Sequence, residues 1–85
     1  MDVCIYFNNE KFIIKSNANQ TILDLKKNIY RLIKIYPKDQ MLLFNGIFLK
    51  NENTLIDYKI KTDALICLHS FALIDTFDDI LSDYD

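Results

Sequence analysis

Residues 1–7, MDVCIYF, alternate along the chain. Met1, Val3, Ile5 and Phe7 fall on one face and Asp2, Cys4 and Tyr6 on the other, the pattern of a half-buried strand. Asn8-Asn9 follows, and Asn tolerates positive φ, so the pair suits a two-residue hairpin turn. KFIIKS then returns as a second strand with Phe12 and Ile14 inward. After a polar loop over 17–20, Ile22, Leu25, Ile29 and Leu32/Ile33 recur at helical spacing. Thr21 and Asp24 resemble a capping box at its start, and Pro37 closes the segment after an extended Ile35-Tyr36. MLLF (41–44), the turn signal Asn45-Gly46 and IFL (47–49) predict a second hairpin. TLIDYKI (54–60) is a tight connection, and ALICLHSF (64–71) alternates again, with Ile66 and Leu68 in and Cys67 and His69 out.

The order strand, strand, helix, strand, short strand, strand requires one main helix (about 22–34) packed on one face of a mixed four- to five-stranded sheet. That is an α+β fold. The first and last strands become parallel central neighbours, with the helix as crossover.

Eighty-five residues make one domain. Half are hydrophobic, which is ample core for so short a chain and excludes disorder of the whole. Two cysteines do not make a disulfide framework, no signal peptide is visible and no apolar run approaches a membrane span, so the expected compartment is cytoplasmic or nuclear. Charge changes the picture at the end. Residues 1–74 carry ten Lys/Arg against seven Asp/Glu, a net of +3; residues 75–85 carry five Asp and no base, a net of −5. A weakly basic body with an acidic tail argues against nucleic acid. The organisation expected is a domain over 1–72 and an acidic amphipathic tail over 73–85.

Within the tail, Phe77, Ile80, Leu81 and Tyr84 fall at i, i+3, i+4 and i+7, one face of a helix. A free helix this short is marginal in water and needs a surface. Three fates are open: folding onto its own body, docking in a partner's groove, or staying solvated. On the body, Cys4, Tyr6, Leu43, Cys67 and His69 are expected outward on the sheet face away from the helix, a candidate protein-binding face. Lys26, Lys27, Arg31 and Lys34 are expected to form a basic strip on the helix. Cys67 and His69 are too few for a metal site and lack a third group for nucleophilic catalysis, so neither enzymatic activity nor a metal or other cofactor is expected.

The stretch TILDLKKNIYRLIKIYPKDQMLLFNGIFLKNENTLIDYKI resembles the ubiquitin family without a gap from Thr21 to Ile60. The likeness covers about residues 1–71 and implies the β-grasp fold. It also implies that the Tyr58 hydroxyl closes the loop around 51–54. Conjugation by that family needs a C-terminal Gly-Gly; here Ala72-Leu73-Ile74-Asp75 stands in its place, and Ile47 and Thr62 occupy the positions of the two best-known chain-linking lysines. Of the family's hydrophobic recognition patch, Leu43 matches the Ile, His69 replaces the Val, and Asn8-Asn9 replaces the Leu-bearing hairpin. A second likeness lies at the ends. MDVCIYFNNEK and IDTFDDIL are similar to the opening and the post-strand segment of elongin B, with a shorter last loop (Thr62-Asp63). This implies a non-conjugated adaptor subunit of a cullin-type ubiquitin ligase complex, pairing with an elongin-C-like or Skp1-like partner. The alternative is a ubiquitin-like module, free-standing or part of a longer chain, recognised by proteasomal or ubiquitin-receptor proteins. Neither reading involves a membrane or a small-molecule substrate.

Overall fold

The computed structural model describes residues 1–70. Strand β1 (Asp2–Phe7) turns through Asn8 and Asn9, both at positive φ, into the antiparallel strand β2 (Glu10–Lys15). Two positive-φ residues give the primed turn whose twist matches the flanking strands. Met1 and Ser16 exchange bonds of 2.7 and 2.8 Å and extend this ladder by one pair.

Helix α1 spans Ile22–Ile33. Thr21 Oγ1 accepts from the Asp24 N–H at 3.1 Å, one half of the expected capping box, while the backbone of Thr21 pairs with Thr54 in an isolated bridge. Lys34 ends the helix in the left-handed conformation (φ 69°), its N–H returning to Tyr30 O at 2.8 Å. The helix is thus one residue shorter than the periodicity predicts. Its Ile22, Leu25 and Ile29 are fully buried, each worth about 1.5–3 kcal/mol relative to exposure. Ile33 packs on this core, whereas Leu32 is 53% exposed. Lys26, expected on the basic strip, is instead buried at 7% exposure.

A 3-10 turn (Pro37–Asp39) leads into β3 (Gln40–Phe44). Asn45 (φ 51°) and Gly46 (φ 78°) form the next primed turn, for which Gly supplies one positive φ at no steric cost. Strand β4 is only Ile47–Phe48; Leu49 drops into the core although its N–H still reaches Leu42 O at 2.9 Å. A second 3-10 turn, Ile56–Tyr58, is clasped by Thr54 N–H to Asp57 Oδ2 (2.8 Å) and Asp57 N–H to Thr54 Oγ1 (3.3 Å). The Tyr58 hydroxyl accepts from Lys50 N–H at 2.8 Å and from Asn53 Nδ2 at 3.0 Å, tying the loop over 50–53. Strand β5 (Leu65–Ser70) completes a five-stranded sheet of order β2-β1-β5-β3-β4. β1 and β5 run parallel at its centre. This is the β-grasp expected, with α1 on one face and the core between.

Buried Gln40 joins helix to sheet. Its Nε2 donates to Lys26 O and to Ile35 O, both at 2.8 Å, while its Oε1 is buried without a partner among the described residues. The bonds fix where β3 starts and thereby its register.

Candidate protein-binding face

Alternation along each strand sends every second residue away from α1. Register decides which of those residues become neighbours. Lys11 lies opposite Tyr6, Tyr6 opposite Cys67, Cys67 opposite Leu43, and Leu43 opposite Phe48. A single line thus crosses all five strands, apolar or weakly polar from Tyr6 onward. Beside it runs a second line, Ile13–Cys4–Leu65. His69 pairs with Met41 at the end where the chain leaves β5.

The five body residues expected to point outward therefore share one surface. Cys4, Tyr6, Leu43 and Cys67 are half-buried by their neighbours and His69 is exposed. The other four candidates, Phe77, Ile80, Leu81 and Tyr84, lie outside the described residues. The face also holds apolar side chains not singled out from sequence. Ile13 is 58% exposed, Phe48 57% and Leu65 45%. Their signal was present: the alternation that puts Phe12 and Ile14 inward puts Ile13 outward, and buried Ile66 implies an outward Leu65. Large apolar side chains exposed side by side mark interaction surfaces, whereas singly scattered ones do not.

The rim is polar and basic on one side. Lys11 and Lys15 are exposed on edge strand β2, and Tyr6 OH donates to Asn9 Oδ1 at 3.1 Å. Cys4 and Cys67 are both free thiols. Because Cys4 pairs with Leu65, the two are diagonal neighbours about 8 Å apart by strand spacing and rise. That exceeds the roughly 7 Å Cα limit for a disulfide. Among the described residues, no group of three or more His, Cys, Asp or Glu side chains is placed to hold a metal. No described helix is long and apolar enough to cross a membrane.

The helix side is different chemistry. Its groove is lined by polar residues including Asn17, Asp24, Lys27, Asn28 and Arg31. Lys34 Nζ sits 5.6 Å over the Tyr30 ring, which itself stacks on Tyr36 at 5.1 Å. Burial pushes the Lys26 ammonium below its ordinary value of 10.5. The exposed basic strip is therefore Lys27, Arg31 and Lys34, without Lys26.

No curated protein sequence matches the chain. The family model described as the ubiquitin family matches residues 3–70, from within β1 to the last residue of β5. That span takes in every strand, the crossover helix and both primed turns, and the chain belongs to the ubiquitin family.

Proposed function

We propose that this protein works by non-covalent protein binding through the outer face of its sheet. The observation that carries the reading is the line Tyr6–Cys67–Leu43–Phe48 beside Ile13–Cys4–Leu65, a contiguous apolar surface with a basic rim. Gly46 is the only glycine in the sequence, so these residues offer no Gly-Gly for covalent attachment.

The finer reading is an elongin-B-like adaptor subunit of a cullin-type ubiquitin ligase. It would pair with an elongin-C-like or Skp1-like protein through the sheet face, with Phe77, Ile80, Leu81 and Tyr84 as a second contact. Support comes from the MDVCIYFNNEK opening, whose two-residue turn has both Asn at positive φ, and from IDTFDDIL after the last strand. Leu43, central on the face at the position of ubiquitin's recognition Ile, favours a second reading in which proteasomal or ubiquitin-receptor proteins bind the domain.

The test is capture from native lysate with two baits, the full chain and its Leu65→Asp variant, with mass-spectrometric identification. Leu65 is exposed, so the charge disrupts the face and not the core. An elongin-C-like protein or a cullin on the first bait and absent from the second supports the adaptor. Only proteasomal or receptor proteins on the first bait replaces it by the second reading. Equal capture by both baits refutes the face.

A further inference from the structure

Asn45 and Gly46 are the two residues of the turn between β3 and β4. The turn needs their positive φ, 51° and 78°. It also places an exposed side-chain amide directly before the one residue of the chain that has no Cβ. We propose that Asn45-Gly46 is a site of spontaneous deamidation, and that its isoaspartate product unpairs β4 and draws Phe48 off the outer sheet face. The chemistry does not depend on what that face binds.

The step needs only the chain and water. The Gly46 amide nitrogen attacks Asn45 Cγ. A C–N bond forms, the bond from Cγ to Nδ2 breaks, and the proton of the Gly46 N–H leaves with Nδ2 as ammonia. The product is a five-membered succinimide whose ring nitrogen is that of Gly46. Water then opens the ring on either side. Breaking the bond to Cγ gives aspartate on an ordinary backbone. Breaking the bond to the backbone carbonyl carbon gives isoaspartate, with the chain now running through the side chain. Either way one ammonia is exchanged for one water, a gain of about 1 Da, and a carboxylate replaces a neutral amide.

Attack needs an unhindered nitrogen. Asn45 is the only asparagine followed by Gly, and no atom lies within 4 Å of where a Cβ on Gly46 would stand. Among the described residues the Gly46 N–H has no backbone acceptor. Other side-chain amides are held: Asn9 Oδ1 accepts from Tyr6 OH at 3.1 Å, and Asn53 Nδ2 donates to Tyr58 OH at 3.0 Å. Closure also needs the turn to open, since the Asn45 backbone must swing for the Gly46 nitrogen to meet Cγ. β4 permits this. It is two residues long, lies at the sheet edge, and registers with β3 through Leu43–Phe48 and Phe44–Ile47 alone. The Asn8-Asn9 turn is held instead by six pairs. The two products then part. Asp tolerates positive φ, so aspartate keeps the turn. Isoaspartate adds a backbone carbon to a turn that two residues close, which breaks the register of β4 and the bond from Leu49 N–H to Leu42 O. Phe48 is 57% exposed and placed by its pairing with Leu43, so it leaves the line it shares with Cys67 and Tyr6.

The experiment ages the purified full chain at neutral and at mildly alkaline pH. Peptides are mapped by mass spectrometry, isoaspartate is counted by isoaspartyl-specific enzymatic methylation, and amide NMR spectra of fresh and aged protein are compared. The expected result is a gain of about 1 Da within residues 41–50. It arises about tenfold faster than any gain at Asn8, a barrier difference of about 1.4 kcal/mol. It quickens with pH, because the attacking nitrogen must lose its proton. Asn45→Gln, whose ring would have six members, shows no gain over the same time. In the aged protein the amide signals of Ile47, Phe48 and Leu49 move to unpaired positions in proportion to the methylated fraction, whereas in Asn45→Asp they keep their paired positions. No gain within 41–50, or a gain equally fast at Asn8, overturns the site. Methylated protein whose amides over 47–49 are unshifted, or Asn45→Asp that unpairs β4 as fully, overturns the effect on the face.

Discussion

Replacing Gln40 by Met removes two hydrogen bonds and one orphan atom from the same buried side chain. The two effects oppose each other. Each bond from Nε2, to Lys26 O and Ile35 O at 2.8 Å, contributes about 1 kcal/mol net. Lys26 O lies inside α1 and keeps its helical donor. Ile35 O lies beyond the helix, on a half-buried residue, and losing its donor costs roughly a further 1 kcal/mol. Against this, the unpartnered Oε1 disappears, returning about 1 kcal/mol at the low end for an unsatisfied buried acceptor. Methionine has similar length and adds no cavity. The net loss is about 2 kcal/mol, or roughly 10 °C in Tm for a domain of this size. Urea denaturation followed by circular dichroism measures it as a lower midpoint at unchanged slope. An unchanged or raised midpoint would show that the orphan oxygen outweighs both bonds, and the view of Gln40 as the clamp between α1 and β3 would be wrong.

Tyr58→Phe deprives Lys50 N–H and Asn53 Nδ2 of their acceptor; a loss of about 1 kcal/mol is expected by thermal melt, because water reaches much of this loop. Lys34→Gly removes left-handed strain of about 1 kcal/mol and a cation–π contact worth about 0.5 kcal/mol, so calorimetry should show a small gain in Tm. Lys26 has its pKa lowered by burial, so the unfolded chain binds more protons than the folded one between that lowered value and 10.5. Stability therefore rises with pH through that alkaline window, and urea midpoints of Lys26→Met across it should lose this rise; an identical slope in both proteins contradicts the assignment.

Much of the fold was legible because local chemistry and global topology agree. Asn8-Asn9 and Asn45-Gly46 are turn signals, and each pair takes the positive φ its turn requires. Strict alternation in β1 and β5 set their inner faces without error. The misreadings have separate causes. On a helical wheel Lys26 lies about 20° beyond Ile33, at one margin of the apolar stripe; its charge suggested exposure, yet it is buried. Leu32 lies about 20° beyond Leu25, at the opposite margin, and is exposed, so position on the wheel does not separate the two. The outer face was half legible. Parity along one strand shows that Ile13 or Leu65 points outward, but not that both flank Cys4. That adjacency depends on strand order and register, which long-range pairing of β1 with β5 decides.

The sheet face as a partner site is tested by hydrogen exchange on the purified full chain, alone and mixed with an elongin-C-like or Skp1-like protein from the same proteome. The expected result is a stable complex in which added protection falls on β1, β5 and β3, around Tyr6, Cys67 and Leu43, while the outer turns of α1 exchange as before. A mixture that forms no complex contradicts the adaptor reading; a complex whose protection falls on Lys27 and Arg31, with the sheet unchanged, contradicts the sheet face as the binding surface.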